Sequence, residues 1–527
     1  MHPSRATFVQ RAARGAIALA VACLCVPAQA DDAADIEKVR AATVQLITML
    51  VEQGVLSRER ADLLLQQAAA AAKPAAVAAV PAAPATPPEA AAPPPGTVRV
   101  PYIPAFVRKE IKDELRAELI AQAEHDGWAG PGAVPEWVRR VQWYGDVRVR
   151  GQYDNFISDN APAVNVTATN QARSLVLLNT TEDRSRMLVR ARVGVAAAID
   201  EHWTTDVRLT TGSTTSPVSS NQTLGTYNDR YTVALDRANI RYRNGGVVNA
   251  VAGRFGNPWF GTDLVWANDL SFDGVAAQWL PSLGSATRGF VTLAAIPVQE
   301  VELSNADKWL FGAQIGVDAN HLLGEVSGKI GVAYYDYRNM VGKVSPTGSA
   351  LEEFTAVQFA QKGNTYYNIS SDPARPLFGL ASDFHLVNLT GALDVPLIAG
   401  KHLLMTGDFV RNVGYSRAKV SARVGADVPP KTTGWLLRAG FGDTDVDKAG
   451  KWQVFSAYKH VERDAVVDAF TDSDFRLGGT DAKGYTVGGS YGVGRDTAAT
   501  LRLMSADSIS GAPLSVDVLQ LDLAVRF

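Results

Sequence analysis

The sequence predicts an all-β fold, a transmembrane antiparallel β-barrel of about 16 strands, preceded by an N-terminal α-helical extension. Three observations predict it. The chain begins with an export signal, its residues from 141 onward alternate between apolar and polar, and its last strand stops on the aromatic Phe527. In a membrane barrel alternate residues face lipid and a polar lumen, so this alternation is the expected pattern.

Composition excludes several other classes of protein. The 527 residues include 51 Lys and Arg against 54 Asp and Glu, which lacks the basic excess expected of a nucleic-acid-binding protein. The mean hydropathy of -0.03 is too low for a bundle of membrane helices. A barrel wall is compatible with it, because lipid-facing and water-facing residues alternate and average out.

Residues 1–30 are predicted to form an export signal. A basic stretch with three arginines precedes an apolar run over residues 15–26, and Ala28-Gln29-Ala30 provides small residues for cleavage. Both cysteines, Cys23 and Cys25, lie inside it, so the mature chain is expected to form no disulfide. Lipidation at Cys23 is the alternative, but the three residues before it lack the expected bulky apolar side chain.

Three segments follow before the barrel. Residues 31–72 are predicted to be helical, because apolar residues recur at alternating steps of three and four over about two heptads. A packed helical hairpin and an oligomerising coiled coil both fit that pattern. Residues 73–100 are rich in Ala and Pro and are predicted to be a semi-rigid linker. Residues 101–140 are predicted to form an amphipathic helix and a connector.

Residues 141–527 are predicted to form the barrel. The final segment places Leu519, Leu521, Leu523, Val525 and Phe527 on one face, with mostly polar residues between them. The strand candidates begin near Val141, Arg186, Trp203, Thr232, Val247, Asp269, Arg288, Lys308, Val326, Asp383, Lys401, Thr433, Lys451, Lys483, Ala498 and Leu514. The number of strand candidates is even, as is expected of a single-chain bacterial barrel.

The predicted connections alternate in length. Asn244-Gly245-Gly246 and Gly494-Arg495-Asp496 are short turns, whereas residues 156–185 and 340–382 are long and polar. In outer-membrane barrels the short turns lie in the periplasm. We therefore expect the N-terminal extension and the C-terminal residue to be periplasmic.

No motif for catalysis, cofactor binding or metal binding is found, and the protein is predicted not to be an enzyme. Asp443, Asp445 and Asp447 begin like a calcium loop, but Lys448 and Val454 stand where glycine and glutamate are required. A Ser, His and acid group assembled across strands remains an alternative, because such sites are recognised by geometry rather than by sequence.

Arginines dominate the predicted inward face of the first four strands and are expected to line the pore. Those predicted to line it are Arg148, Arg150, Arg186, Arg190, Arg192, Arg208, Arg237, Arg241 and Arg243. A wall of fixed cations would bias passage toward anions. The alternative is that any water-filled lumen carries mixed charges.

The connection after the fifth strand is unusually aromatic for a loop in water. We expect it to fold into the lumen as a constriction loop, anchored by Trp259, Phe260 and Trp266, and to present Asp263 and Asp269 across from the arginines. The alternative is that its aromatic residues lie at the membrane rim or in a subunit contact.

Several segments carry a family resemblance. The segments that resemble the putative porins of Gram-negative outer membranes are Val100-Pro101-Tyr102-Ile103-Pro104, Pro135-Glu136-Trp137 with the first strand, Phe470 to Phe475 with Gly478 to Gly484, and the ending Leu514 to Asp522. The resemblance implies a passive channel for small hydrophilic solutes, embedded in outer-membrane lipid, with a homotrimer as the expected assembly. It carries over no functional residue.

The C-terminal strand is expected to act as the barrel signal. Leu523, Val525 and Phe527 would present it to the barrel assembly machinery. One alternative function is a barrel that anchors the outer membrane to periplasmic partners or cell wall through the helical extension. Another is an outer-membrane enzyme.

Overall fold

The alternating residues form the long strands that they predict. The structure, a computed structural model, describes residues 140–162, 164–166, 176–302, 304–372 and 374–527. The predictions for residues 1–30, 31–72, 73–100 and nearly all of 101–140 lie outside the described residues. No described helix is long and apolar enough to cross a membrane.

Sixteen strands of the described chain form one closed antiparallel barrel. They are β1 Val141–Phe156, β2 Arg184–Ala198, β3 Trp203–Thr211, β4 Val233–Asn244, β5 Val248–Gly256, β6 Ser271–Trp279, β7 Thr287–Gln299, β8 Lys308–Leu323, β9 Val326–Arg338, β10 His385–Pro396, β11 His402–Asn412, β12 Thr433–Gly442, β13 Trp452–Val461, β14 Ala482–Gly494, β15 Thr497–Ser508 and β16 Ser515–Arg526. Each pairs with the next, and β1 closes the barrel by pairing with β16 from Asp146 opposite Arg526 to Phe156 opposite Val516. The predicted fold class is confirmed for the barrel.

Shorter elements decorate the connections. Gln222–Thr223 pairs with β2, and two small hairpins join Val164–Val166 to Val176–Leu178 and Tyr366–Asn368 to Phe378–Leu380. A short helix α1, Arg417–Val424, lies between β11 and β12. The 3-10 turns are Glu353–Thr355, Ile398–Gly400, Asp468–Phe470 and Phe475–Leu477.

The connections alternate in length as predicted. At one end, which we call the turn end, strands are joined by short links such as the one from Asn244 to Val248. Gly245 and Gly246 adopt positive φ values of 53° and 73° there, which side chains other than glycine rarely accept. At the other end, the loop end, the connections include residues 339–384 and 462–481.

The barrel wall separates apolar from polar side chains. On β1 the outward residues Trp143, Val147 and Val149 are exposed, whereas Arg150 and Asp154 point inward and are buried. The outward face would meet hydrocarbon, so its exposure costs nothing in a membrane. The apolar core lies inside the barrel rather than in its wall, since long connections fold into the lumen and pack there.

Candidate functional site

The connection between β5 and β6, residues 257–270, folds into the barrel, and we call it the inner loop. The rings of Trp259 and Trp266 stack with centroids 5.3 Å apart, and both meet Phe272 and Tyr335 edge-on at 5.0–5.3 Å. Phe272 and Tyr335 are inward residues of β6 and β9. Burying four large rings together makes this the most strongly anchored part of the loop.

The inner loop is also held through its backbone. The amide of Gln314 on β8 donates to the Phe260 carbonyl at 2.6 Å, and its oxygen accepts the Phe260 N–H at 2.8 Å. Asp408 on β11 accepts the Thr262 N–H and hydroxyl at 3.1 and 2.6 Å. The loop is therefore bonded to the wall on two sides.

The two carboxylates of the inner loop have different partners. Asp269 lies 3.2 Å from Arg190 and 3.5 Å from Arg192 and accepts the Ser220 hydroxyl at 2.6 Å. Asp263 does not face the arginines of the first four strands. It lies 3.2 Å from Lys459 of β13 and 3.8 Å from Arg438 of β12. The loop thus spans the barrel between two groups of cations.

These cations keep both loop carboxylates ionised. Burial by itself would raise the pKa of Asp269, but the charge of Arg190 and the bond from Ser220 outweigh it and lower the pKa below its ordinary value. At Asp263 burial opposes the charge of Lys459 in the same way, and the pKa again falls. Both contacts are therefore ion pairs at neutral pH.

A second connection, residues 462–481, also enters the barrel, and we call it the brace loop. The Phe470 carbonyl accepts the Ala267 N–H at 2.8 Å, and the Thr471 hydroxyl donates to the Leu264 carbonyl at 2.9 Å. Asp474 lies 2.9 Å from Arg150, and, against the raising effect of burial, that cation lowers the pKa of Asp474 to about 2. The brace loop therefore fastens the inner loop to β1.

Sequence reasoning missed the brace loop as part of the interior. Its residues 470–474 hold an aromatic ring and two carboxylates, the same kinds of side chain that marked the inner loop. A third connection supports it, because Gln361 donates to the carbonyls of Asp468 and Thr471 at 2.7 and 2.8 Å. Such contacts between distant loops leave no periodic pattern in a sequence.

Five of the nine predicted pore arginines are paired with carboxylates. Arg150 binds Asp522 and Asp474, Arg186 binds Asp154, Arg190 and Arg192 share Asp146 and Asp269, and Arg208 binds Asp236. Their charges are locally neutralised. They therefore hold the wall and the inner loop together more than they project a field into the lumen.

The other four, Arg148, Arg237, Arg241 and Arg243, form no salt bridge with any described residue. Two of them bond neutral amides: Arg148 donates to Asn221 at 2.6 Å and Arg241 to Asn239 at 2.9 Å. Three of the four line a cavity of about 610 Å³ that reaches the start of the inner loop at Asn257. No carboxylate is among the described residues that line that cavity with them.

A second cavity of about 750 Å³ lies on the other side of the same loop. Hydroxyl-bearing residues between positions 210 and 220 line it, together with Asp269, Lys308 and Phe470. The first cavity touches the beginning of the inner loop and the second touches its end. The loop therefore lies between two cavities.

The remaining predicted residues are placed as follows. Leu523, Val525 and Phe527 are exposed on the outward face, and the Phe527 backbone exchanges hydrogen bonds with Gly145 at 2.9 and 3.1 Å. Asp443 forms ion pairs with Lys401 at 2.5 Å and Lys451 at 2.8 Å, and these bonds lower its pKa. Within the described residues no group of three or more His, Cys, Asp or Glu could hold a metal ion.

Comparison with known proteins gives a family match and several similar solved structures. A family model described as a putative porin matches residues 40–527. OprB of Pseudomonas putida is 12% identical over 75% of this chain and 96% of its own, with a TM-score of 0.45. The channel DcaP of Acinetobacter baumannii is 9% identical over 73% and 97%, with a TM-score of 0.39. Salmonella typhi OmpF is 10% identical over 73% and 97%, with a TM-score of 0.40. No curated protein matches the chain.

Proposed function

The chain belongs to the putative porin family and is an outer-membrane channel, and we propose that small hydrophilic solutes and ions diffuse through it passively with a bias toward anions. The observation that carries this proposal is the set of four arginines, Arg148, Arg237, Arg241 and Arg243, that lack a described carboxylate partner. Fixed cations along a narrow polar passage between low-dielectric walls attract anions and repel cations. The paired arginines contribute little to that field.

The inner loop is proposed to be the constriction. Its ion pairs on both sides of the barrel and its stacked tryptophans support a fixed position between two cavities. A rigid obstruction of this kind would set the size limit for solutes. The anion bias would arise beside it, at the cavity that Arg237, Arg241 and Arg243 line.

Orientation and assembly are also proposals. We place the loop end outside the cell and the turn end, with Phe527 and the N-terminal extension, in the periplasm, as in other barrels with short periplasmic turns. The outward side of β5 to β8 carries Ala250, Ala252, Ala277, Ala295 and Ala313 around a shallow depression of about 820 Å³. These small side chains support close contact between protomers, and hence the homotrimer. The exposed C-terminal residues would engage the barrel assembly machinery.

Reversal potentials in planar bilayers test the anion bias. In a tenfold KCl gradient a perfectly selective channel gives about 59 mV, so intermediate values report the permeability ratio. We expect an anion-selective potential that falls toward zero when Arg237, Arg241 and Arg243 are all replaced by glutamine. Arg230→Gln, on an exposed loop, is the control and should leave it unchanged. Equal selectivity in the triple variant and the unaltered protein would refute the assignment.

A further inference from the structure

The second cavity, of about 750 Å³, lies at the loop end of the barrel. Its lining includes the last residues of β3 and β7, the first residue of β8, and parts of the connections 212–232, 339–384 and 462–481. The inner loop reaches it at Asp269. Ligand pockets typically measure about 300–1,000 Å³, so the cavity has room for a small solute that enters from the loop end.

The ionisable residues that line this cavity are mostly neutralised. Those held in ion pairs, each with its partner, are Asp236 with Arg208, Asp269 with Arg190 and Arg192, and Arg254 with Asp273. Tyr366 donates its hydroxyl to Asp468 at 2.6 Å. The two lining residues that carry a charge without an ion pair to any described residue are Lys308 and Asp468.

Lys308 brings a positive charge without a counter-ion. The residue is 4% exposed, and its ammonium group donates to the carbonyls of Thr355 and Ala356 at 3.4 and 3.0 Å. An ammonium group has three N–H donors, so one of them forms no bond within the described chain. Burying a charge that has no counter-ion is costly. A bound carboxylate would offset that cost.

Asp468 brings a negative charge in the same situation. It is fully buried, and the hydroxyl of Tyr366 donates to its Oδ1. Its Oδ2 has no hydrogen-bond partner among the described residues. Lys362 does not supply one, because its ammonium group donates to the Leu477 carbonyl at 2.6 Å. A bound ammonium group would therefore satisfy both the charge and the unpaired oxygen of Asp468.

The rest of the lining is apolar on one part and rich in hydroxyl groups on another. The apolar side chains are Val298, Met340, Val357, Phe359, Leu380 and Phe470. The rings of Phe359 and Phe470 are only half-buried, so each offers an apolar surface to a ligand. The serines and threonines between positions 210 and 220 could bind a neutral sugar, but a sugar would leave both unpaired charges unmatched.

We propose that this cavity binds a zwitterionic amino acid with an apolar side chain. Its carboxylate would accept the remaining N–H of Lys308, and its ammonium group would donate to Oδ2 of Asp468. Its side chain would lie against the rings of Phe359 and Phe470. One ligand thereby supplies both missing counter-charges through charge-assisted hydrogen bonds, which are the strong ones. The inference rests on the proposed channel function, since the solute enters the lumen from the loop end.

The test uses the full-length protein in detergent and isothermal titration calorimetry with a series of ligands of similar shape. L-Phenylalanine carries both charges, 3-phenylpropanoate lacks the ammonium group, and 2-phenylethylamine lacks the carboxylate. At neutral pH we expect L-phenylalanine to bind at least about tenfold more tightly than either analogue, because hydrogen bonds to charged groups contribute strongly. Equal affinity for L-phenylalanine and either analogue would overturn the proposal.

Two variants identify which residue binds which charge. Asp468→Asn keeps an oxygen for the Tyr366 bond but removes the negative charge, so it should weaken L-phenylalanine binding about tenfold without weakening 3-phenylpropanoate. Lys308→Gln should weaken L-phenylalanine and 3-phenylpropanoate without weakening 2-phenylethylamine. Equal weakening of the whole series, as a loosened loop would cause, overturns the assignment. Heat-modifiable migration on gels shows that each variant is folded, and the ligand series on the unaltered protein does not depend on the variants.

Matched controls lie at the turn end. Asp445 and Lys448 are exposed in the connection between β12 and β13. Asp445→Asn and Lys448→Gln make the same chemical changes at the opposite end of the barrel, so both should bind the ligand series as the unaltered protein does. Unchanged binding in the two test variants, or equal weakening in the controls, contradicts the proposal.

A neutral competitor and conductance measurements complete the test. D-Glucose should not displace L-phenylalanine, and displacement at similar concentrations would assign the cavity to polyhydroxylated solutes instead. Conductance of the same preparations keeps the binding site apart from the channel function. Normal conductance without L-phenylalanine binding refutes the binding site alone, and L-phenylalanine binding without conductance refutes the passive channel alone.

Discussion

The ion pairs of Asp269 are predicted to keep the inner loop in the lumen. Asp269→Asn preserves the shape of the side chain and the bond from Ser220 but removes the charge opposite Arg190 and Arg192. The two arginines then share only Asp146, which Arg190 and Arg192 approach to 2.7 and 2.6 Å. One positive charge is left without compensation in a confined space.

The free-energy cost of losing the Asp269–Arg190 ion pair depends on how far the pair is shielded from water. The side chains of Asp269 and Arg190 are 13% and 12% exposed, between a surface pair and a fully buried one. Surface pairs contribute about 0.2–1 kcal/mol, and removing one partner of a buried pair costs about 3–5 kcal/mol. Because Asp146 still partly compensates the charge of the two arginines, we expect Asp269→Asn to destabilise the closed loop by about 2 kcal/mol. This corresponds to about a 30-fold rise in the population of the open loop.

Cysteine labelling measures that population. The only cysteines of the chain, Cys23 and Cys25, lie in the predicted signal, so Val265→Cys introduces a probe in the inner loop at a side chain that is 2% exposed. When the loop opens and closes quickly, the rate of maleimide labelling follows the open population. We expect labelling about 30 times faster after Asp269→Asn in this background.

The control is Asp273→Asn, which breaks the outward and largely exposed pair with Arg254. A surface pair contributes at most about 1 kcal/mol and does not touch the inner loop, so labelling should not change. If Asp269→Asn changes the labelling rate by less than about twofold, the ion pairs do not hold the loop and the reasoning fails.

Three further predictions follow from the same contacts. Trp266→Ala should destabilise the inner loop by about 3–5 kcal/mol, since it leaves a cavity among Trp259, Phe272 and Tyr335, and should raise single-channel conductance. Burial raises the pKa of Asp468 to about 6 despite the bond from Tyr366. The stabilisation that the protonated carboxyl provides is therefore fully present below pH about 4 and is lost as the pH rises to about 6. The melting temperature should therefore fall between pH 4 and 7.5 by more in the unaltered protein than in Asp468→Asn. Gly145→Leu should prevent barrel closure, seen as loss of heat-modifiable migration, because a Cβ there would lie 2.6 Å from the Phe527 ring and clash with the Arg192 carbonyl.

Strand positions could be predicted because their cause is local. Every observed barrel strand begins within two residues of its predicted start, from Val141 to Ser515, since alternation and turn residues are both written into short segments. The inner loop was recognisable for a similar reason, because Trp259 and Trp266 are costly in an aqueous loop. Both signals need only a few neighbouring residues.

The ion pairs could not be predicted, because the residues that form them are far apart in the sequence. Arg150 and Asp522 are 372 positions apart and meet only because β1 pairs with β16. Asp263 meets Lys459 only because the inner loop crosses the barrel. The alternation of residues along a strand indicates which side chains face inward, but not which of them form an ion pair there.

The apolar core inside the barrel bears on where solutes pass. Inward side chains of β6 to β13 such as Phe272, Leu310, Tyr335, Leu386 and Leu436 are buried against the inner and brace loops. Water and ions are excluded from such a packed apolar region, so it closes that half of the cross-section. We infer that solutes pass beside Arg237, Arg241 and Arg243 of β4, through the cavity that reaches the start of the inner loop. In that case the loop affects selectivity as well as size, because it forces every solute close to the unpaired cations.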